Sequence, residues 1–194
     1  MNKGNNAMTA KKKINYKIRN MKPCEYPRLA DFLYEAIFQR DGENPAPKDI
    51  IQKPELQIYI ENFGKGPDDY CLCAEAEGRL VGAVWARTIK GYGSIDDAVP
   101  ELAISLYKPY RGQGIGTAMM RRMLAVLQNA GYTKVSLAVQ KDNYAFNMYR
   151  LLGFQIVGEN TEEYIMKYDL TAGGKTDANT GNNREAARNG VGEV

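Results

Sequence analysis

A strand, a glycine-rich turn and a helix follow one another directly in residues 101–130. Residues 101–107 alternate between apolar and polar or small side chains, which predicts a β-strand. The apolar residues of one face are Leu102, Ile104 and Leu106. Pro109 ends this strand because it cannot donate a ladder hydrogen bond. Three glycines at alternate positions then open a helix: Gly112, Gly114 and Gly116. Such a turn aims unpaired N–H groups and the positive end of the helix dipole at one point, which predicts a phosphate-binding site.

The spacing of the glycines narrows the class of phosphate ligand. A dinucleotide fold uses Gly-x-Gly-x-x-Gly near the start of its domain, with an acidic residue about 20 positions later. Here the pattern is Gly-x-Gly-x-Gly beyond the middle of the chain, and residues 136–140 contain no acidic side chain. A P-loop needs Gly-Lys-Ser/Thr, which this turn does not contain. The turn therefore fits neither of these nucleotide-binding motifs.

The turn resembles instead the acyl-CoA loop of the GNAT superfamily of N-acetyltransferases. Residues 111–116 read Arg-Gly-Gln-Gly-Ile-Gly, similar to that superfamily's Arg/Gln-x-x-Gly-x-Gly/Ala. Residues 143–154 are similar to its Asn-x-Ala-x-x-x-Tyr…Gly-Phe segment. The two motifs occur in the superfamily's order, separated by one helix and one strand, and the resemblance covers residues 16–169. The alternative is a strand–helix corner that uses glycines without binding a ligand.

The rest of the chain supplies further strands and helices around this segment. We expect strands at Tyr16–Met21, Tyr70–Ala76, Leu80–Ile89, Lys134–Val139, Phe154–Gly158 and Glu163–Asp169, with a tight turn at Glu77-Gly78 and helices at Glu25–Gln39, Pro54–Phe63 and from Asn143. The predicted fold class is α/β (α+β), with a mixed, mostly antiparallel central sheet of about seven strands and helices on both faces. The resemblance implies the GNAT acyl-CoA N-acyltransferase fold.

Composition and charge indicate one N-acetyltransferase domain at residues 14–170, between a disordered basic leader (1–13) and a disordered tail (171–194). The chain carries a net charge of +3, but four lysines lie in the leader and the tail is balanced, so residues 14–170 carry a net charge near −1. This near-neutral domain gives little support to nucleic-acid binding. No apolar run is long enough for a membrane span, and no signal peptide is evident, so we expect a cytoplasmic protein without a membrane partner.

The cysteines support the same compartment. Three cysteines, an odd number, favour a reducing environment. Cys71 and Cys73 share one face of a predicted strand, where core thiols are a better interpretation than a metal pair in a chain without histidine. No metal site is predicted.

The resemblance implies where acetyl-CoA, as acyl donor, would lie. In the superfamily the strands corresponding to 101–107 and 134–139 splay apart, and the pantetheine arm of the cofactor fills the gap. An interrupted ladder leaves N–H and C=O groups that need partners, which pantetheine amides can supply. The predicted cofactor-binding residues are Ile104, Ser105, Leu106, Arg111, Gly112, Gln113, Gly114, Ile115, Gly116, Thr117 and Asn143. Asn143 is equally suited to cap its own helix.

Two residues are predicted to carry the chemistry of acyl transfer to an amine. The amine must lose a proton, because its pKa of about 10 keeps it charged at neutral pH. Glu101 lies at the strand position where similar proteins carry a glutamate base; the alternative is a solvated glutamate at a strand start. The resemblance gives Tyr149 the role of protonating the CoA thiolate; the alternative is a packing tyrosine. A backbone N–H, with Ile104 as the candidate, would stabilise the oxyanion.

The acceptor is predicted with less detail. Acidic residues in predicted loops are expected to attract a cationic amine, with solubility as the alternative role: Glu43, Asp68, Asp69, Asp96 and Asp97. Aromatic residues are candidates for the pocket wall, although such spacing is more often that of core residues: Tyr34, Phe38 and Trp85. Similar enzymes that acetylate ribosomal proteins carry a catalytic glutamate at the position of Ala138, so the sequence favours a small-molecule amine such as a polyamine, amino acid or aminoglycoside.

Several alternatives remain open from the sequence alone. They are a CoA-binding sensor without turnover, an enzyme that acts on a protein or peptide amine, and a toxin-type enzyme that acts on aminoacyl-tRNA, against which the near-neutral domain argues. No residue is an evident nucleophile for a covalent intermediate, so direct attack in a ternary complex is expected. The resemblance also implies pairing of two copies through residues 154–169.

Overall fold

The computed structural model describes residues 14–37 and 44–171. Its strands are β1 Lys17–Asn20, β2 Tyr70–Ala76, β3 Arg79–Arg87, β4 Glu101–Leu106, β5 Lys134–Gln140, β6 Gln155–Glu159 and β7 Glu163–Asp169. Its helices are α1 Leu29–Ala36, α2 Pro54–Gln57, α3 Ile115–Asn129 and α4 Ala145–Leu152, and short 3-10 helices cover Pro23–Arg28, Lys48–Gln52 and Lys108–Tyr110.

All seven strands belong to one sheet with the order β1-β2-β3-β4-β5-β7-β6. Every neighbouring pair is antiparallel except β4 and β5, which are parallel. These two central strands share a single register pair, Glu101 with Ser136, whereas β5 and β7 are paired over seven positions. The predicted mixed sheet and the splaying of its two central strands are confirmed.

Each face of the sheet has its own core, because β4 alternates as its sequence predicts. Leu102 and Leu106 pack in the cluster that contains the buried methionines and leucines of α3. Ala103 packs on the opposite face, in the cluster built from α1, α2 and the segment after α2. Helices therefore cover both faces of the sheet.

The hairpin between β2 and β3 turns at the predicted dipeptide. Glu77 and Gly78 both have left-handed backbone angles, with φ of 52° and 73°. Two successive positive φ angles are the signature of the tight turn that matches the twist of two adjacent strands.

The first two predicted helices are shorter than their sequences suggested. The α-helical part of the first begins only at Leu29, after a 3-10 helix that contains Pro27, because proline cannot donate an α-helical hydrogen bond. It ends at Ala36, where Ile37 turns to an extended ψ of 113°; Gln39 lies outside the described residues. The second helix ends at Gln57, and irregular turns replace the rest of its predicted length.

The predicted leader (1–13) and the tail after Thr171 lie outside the described residues. Within residues 14–37 and 44–171, no helix has the length and apolar character to cross a membrane.

Candidate active site

The divergence of β4 from β5 opens a cavity of about 1460 Å³ in the middle of the molecule. Its walls come from the end of α1, β4, the glycine turn, β5, the start of α4 and the segment that leads into β7. Among the predicted site residues, the cavity is lined by Glu101, Ile104, Ser105, Leu106, Arg111, Gly112, Gly114, Gly116, Thr117, Asn143 and Tyr149. Gln113 and Ile115 are not part of its wall: Gln113 donates to the Pro109 carbonyl at 3.0 Å, and Ile115 is buried in the core.

The backbone N–H and C=O groups of alternate residues of β4 point into the gap between β4 and β5. The Tyr107 N–H donates to the Val81 carbonyl of β3 at 3.0 Å, so the odd-numbered residues of β4 pair with β3. In an antiparallel ladder the intervening residues direct their N–H and C=O groups to the other side. Ile104 and Leu106 therefore point their backbone groups toward β5, as the predicted pantetheine contacts require. The Ser136 N–H, which donates to the Pro100 carbonyl at 3.0 Å, marks the closed end of the gap.

The glycine turn leaves open space where α3 begins. Gly112 and Gly114 have left-handed φ angles of 71° and 79°, and a Cβ added at either would meet no atom within 4 Å. Gly114 is the N-cap of the 15-residue α3, and the first hydrogen bond of the helix runs from the Ala118 N–H to the Gly114 carbonyl at 3.0 Å. The N–H groups of the first turn are thus available to an anion.

Arg111 ties this turn to α1. Its Nε donates to the Leu106 carbonyl at 2.7 Å, and its Nη2 donates to the Glu35 carboxylate at 2.8 Å. The guanidinium is therefore occupied by protein partners, and the Leu106 carbonyl already accepts a hydrogen bond. What the turn offers a phosphate group is its backbone and the helix terminus.

Glu101 is buried at the start of β4, with only 2% of its surface exposed. This rules out the alternative of a solvated glutamate. Its Oε1 accepts hydrogen bonds from the Tyr59 hydroxyl and from the Gly93 N–H, the latter at 2.8 Å. Its Oε2 is buried and has no hydrogen-bond partner in good geometry among the described residues. Burial raises the pKa of Glu101, and the hydrogen bonds from Tyr59 and Gly93 oppose this rise.

A loop before β4 folds tightly over this carboxylate. A Cβ added to Gly91 would stand 2.4 Å from the Tyr59 hydroxyl and 2.6 Å from Glu101 Oε2. A Cβ added to Gly93 would stand 2.4 Å from the backbone of Leu137 and Ala138 in β5. Only glycine permits such close approach, so this loop is fixed at the two glycines.

Tyr149 and Asn143 are brought to the same cavity from the α4 end. Tyr149 is buried, and its ring packs edge-to-face on Phe154 with centroids 5.7 Å apart. Burial raises the pKa of Tyr149 above its ordinary value of 10, so its hydroxyl keeps its proton at neutral pH. The Asn143 Oδ1 accepts a hydrogen bond from the Ala145 N–H at 2.9 Å, one residue ahead of Tyr144, the N-cap of α4.

The acidic residues expected at the acceptor side lie elsewhere. Asp69 binds the Arg87 guanidinium at 2.7 Å, and Asp68 accepts from the Tyr132 hydroxyl at 2.5 Å. Asp96 accepts from the Ala98 N–H at 2.9 Å, and Asp97 pairs with Lys90 at 3.3 Å. None of the four lines the cavity, and each is bound to a backbone or side-chain partner; Glu43 lies outside the described residues. The carboxylates that do line the cavity are Glu35, Glu55, Glu101, Asp142, Glu162 and Glu163.

The aromatic candidates divide in the same way. Trp85 is a core residue with 1% exposure and donates to the Tyr59 carbonyl at 3.1 Å, so its expected place in the pocket is wrong. Tyr34 does line the cavity, and Phe38 lies outside the described residues. Tyr59 and Tyr92, which the sequence did not single out, line the cavity beside Glu101. The sequence signal that could have indicated them is the pair Gly91 and Gly93 shortly before β4.

The buried thiols behave as core residues. Cys71 and Cys73 lie in the cluster on the α1 face of the sheet, and Cys71 contacts the Met21 sulfur at 3.3 Å. The described residues contain no group of three or more histidine, cysteine or acidic side chains arranged for a metal ion.

Comparisons with known proteins agree with the geometry. The model of the acetyltransferase (GNAT) family matches residues 33–154. Mouse N-acetyltransferase family 8 member 3 is 32% identical over 110 residues, which cover 51% of this chain and 49% of the relative. Mouse thialysine N-epsilon-acetyltransferase is 31% identical over 128 residues, which cover 57% of this chain and 69% of the relative. The chain thus spans about half the length of the first of these relatives.

Solved structures share the fold. PaiA N-acetyltransferase from Thermoplasma acidophilum, in complex with coenzyme A, aligns with a TM-score of 0.61 and 18% identity over 80% of this chain and 99% of its own. YncA, a putative acetyltransferase from Salmonella typhimurium with its cofactor acetyl-CoA, aligns with a TM-score of 0.56 and 16% identity. The alignment covers 84% of this chain and 99% of YncA. The parallel pair of splayed strands, the glycine turn at α3 and the family match agree: the chain belongs to the acetyltransferase (GNAT) family.

Proposed function

We propose that the protein transfers an acetyl group from acetyl-CoA to a primary amine of a small molecule by direct attack in a ternary complex. One observation carries this proposal: a buried carboxylate, Glu101, lies in the same cavity as an open glycine turn at the N-terminus of α3. The first group suits proton removal from an amine, and the second suits the pyrophosphate of a CoA thioester.

The residues fit acetyl-CoA as the donor. The pyrophosphate would be held by the backbone of Gly112–Thr117, where α3 begins. The pantetheine arm would lie along β4, whose backbone at Ile104 faces the gap, and would add hydrogen bonds in place of the missing ladder. The Ile104 N–H is our candidate for stabilising the oxyanion. The complexes of two fold neighbours with coenzyme A and acetyl-CoA support this donor.

Glu101 and Tyr149 divide the proton transfers. The charged amine of the acceptor loses its proton to Glu101, after which its lone pair attacks the thioester carbonyl. Collapse of the tetrahedral intermediate breaks the carbon–sulfur bond, and Tyr149 protonates the departing thiolate. The second proton that the nitrogen loses as the amide forms returns through water to the Tyr149 phenolate, and Glu101 releases its proton to solvent. Burial suits both groups, because it raises the pKa of Glu101 toward neutrality and keeps Tyr149 protonated.

The acceptor side of the cavity favours a cationic amine. The negative charge of Glu163 acts on Glu101, Tyr59 and Tyr92, and that of Glu55 acts on Tyr92, whose pKa is raised by burial and by these two carboxylates. Tyr92 is 46% exposed, so its ring offers a face to an entering cation. The similarity to an enzyme whose name gives thialysine as its substrate also supports a small amine.

Replacement of Glu163 by Gln is expected to raise the KM for the amine about three- to fivefold, with kcat changed less than twofold, because a partly exposed charge contributes modestly to attraction. Steady-state kinetics at low and high salt measure this, and the difference should shrink as salt screens the charge. Glu159→Gln is the control, since Glu159 pairs with Lys141 at 2.9 Å outside the cavity. Equal KM values in the wild type and Glu163→Gln would contradict the proposed attraction.

Release of CoA from acetyl-CoA in the presence of amines tests the function. The panel contains polyamines, aminoglycosides, amino acids and short peptides, with propionyl-CoA as a second donor. Rapid release with one small amine is the expected result. Release only with peptides would support the alternative of a protein or peptide acceptor, and acetyl-CoA binding without release from any amine would support a CoA sensor.

Two further properties stay predictions. The free thiols Cys24, Cys71 and Cys73 favour a reducing compartment such as the cytoplasm. The edge strand β6 exposes Ile156 and Val157, which are 47% and 48% exposed, and pairing of two copies through β6 would cover them.

A further inference from the structure

Tyr59 contacts Glu101 from outside the two motifs that define the site. It follows α2, 42 residues before Glu101 in the chain, and is 6% exposed. Its hydroxyl donates to Glu101 Oε1 and accepts the Tyr92 N–H at 2.9 Å. The Tyr59 hydroxyl thus connects the buried carboxylate with the loop that covers it.

The hydrogen bonds to Glu101 are distributed unequally between its oxygens. Oε1 accepts two, from the Tyr59 hydroxyl and the Gly93 N–H, whereas Oε2 has no partner in good geometry among the described residues. Two donors on one oxygen fix the plane of the carboxylate. They leave the other oxygen as the atom with spare capacity to accept a proton.

The two donors also act on the charge of Glu101. Burial and the nearby charge of Glu163 favour the protonated form. Hydrogen bonds from Tyr59 and Gly93, with a smaller effect of the Gly91 backbone, favour the ionised form. A base must be ionised before it can accept a proton. The Tyr59 hydroxyl remains protonated and able to donate throughout the neutral range, because burial raises its pKa far above 10.

We propose that Tyr59 is a positioning residue, which fixes the orientation of the Glu101 carboxylate and keeps it ionised, so that Glu101 can take up the proton of the amine. This inference rests on the proposed function, because it assigns Glu101 as the base. The competing role for Tyr59 is purely structural, since its ring packs in the core on the α1 face of the sheet.

The charged groups around Glu101 come from several elements. Glu163 belongs to β7, Glu55 to α2, and Arg87 is the register partner of Glu101 on β3. The Arg87 guanidinium is held by Asp69 at 2.7 Å and by the Ile58 carbonyl at 2.9 Å. Tyr92 approaches from the covering loop. Replacement of the Tyr59 hydroxyl removes its hydrogen bonds with Glu101 and with the Tyr92 N–H and leaves the charged groups unchanged.

The test is the substitution Tyr59→Phe, which keeps the ring and removes the hydroxyl. Titration of the Glu101 side-chain carboxyl by carbon-13 NMR should give a higher pKa in the variant, because the ionised form loses a donor. The acidic limb of the pH profile of kcat/KM should move to higher pH in step. We expect kcat at neutral pH to fall about tenfold, with the KM for acetyl-CoA unchanged.

The matched control is Tyr26→Phe. Tyr26 packs on Phe63 with ring centroids 5.0 Å apart, beside the same core, and does not line the cavity. It should alter neither the titration of Glu101 nor kcat. An unchanged Glu101 titration and an unchanged pH profile in folded Tyr59→Phe would overturn the proposal.

Two further measurements keep the proposal falsifiable. In the wild type, the Tyr59 Cζ resonance should shift with the same midpoint as the Glu101 carboxyl. A Tyr59 resonance that does not change during this titration would overturn the proposal, and this test remains available if Tyr59→Phe does not fold. In a Glu101→Gln background, Tyr59→Phe should cost nothing further in kcat, and multiplying losses would overturn the coupling. Because the NMR titrations need no substrate, a wild type without turnover refutes the proposed function separately.

Discussion

Replacement of Glu101 by Gln is expected to lower kcat about a hundredfold or more at neutral pH, because the amine then has no base to accept its proton. Glutamine is of similar size, and its oxygen can still accept from Tyr59 and Gly93. Steady-state CoA release with a saturating amine measures the loss. The rate of the variant should recover at high pH, where a larger fraction of the amine is already deprotonated.

Although Glu101→Gln should lower activity, it should not lower the stability of the folded protein at neutral pH. Burial raises the pKa of Glu101 above its ordinary value of 4.5, so the folded protein binds this proton more tightly than the unfolded chain. The wild type therefore loses stability as the pH rises from the unfolded pKa to the raised one. Glu101→Gln lacks this loss and should be at least as stable as the wild type at neutral pH in thermal unfolding. A stable variant with undiminished turnover would contradict the assignment of Glu101 as the base.

Replacement of Tyr149 by Phe is expected to lower kcat about a hundredfold, because the thiolate of CoA then departs without an acid. Affinity for CoA should stay nearly intact, since the ring and its packing on Phe154 remain. Calorimetric titration with CoA and steady-state kinetics separate the two effects. The raised pKa of Tyr149 implies that the wild type keeps this acid protonated across the neutral range.

Tyr168→Phe serves as the control for Tyr149. Tyr168 packs on the same Phe154, with ring centroids 5.2 Å apart, but does not line the cavity. It should leave kcat unchanged. If Tyr149→Phe turned over as fast as the wild type, Tyr149 would be a packing residue only.

The parts of the fold that local physics determines were predictable from the sequence. The alternation of residues 101–106 places Leu102 and Glu101 on opposite faces, and Leu102 is buried as that pattern predicts. Gly114 begins α3 with the left-handed backbone that glycine permits. These features depend on neighbours a few positions apart, which a single sequence displays directly.

The contacts that complete the site depend on distant parts of the chain. Tyr59 meets Glu101 across 42 positions, and Arg111 meets Glu35 across 76, so no local pattern announces either pair. The prediction that acidic loop residues line the acceptor side was wrong for a related reason. An aspartate in a turn, such as Asp96, often binds its own backbone, and composition alone does not separate that role from attraction of a substrate.

The central claim is that the glycine turn at α3 holds the phosphates of acetyl-CoA. Gly114 and Gly131 provide a matched pair, because both have left-handed φ angles, of 79° and 92°, and a Cβ at either meets no atom within 4 Å. Alanine at such a position strains the backbone by about 1–2 kcal/mol, so the two substitutions should cost similar stability. Only the one at Gly114 places a methyl group where the phosphates would approach.

Calorimetric titration of acetyl-CoA into the wild type, Gly114→Ala and Gly131→Ala is the most direct test. The account predicts tight binding to the wild type and to Gly131→Ala, and affinity lowered about tenfold or more in Gly114→Ala. Equal affinity in all three, or no binding to the wild type, would contradict it.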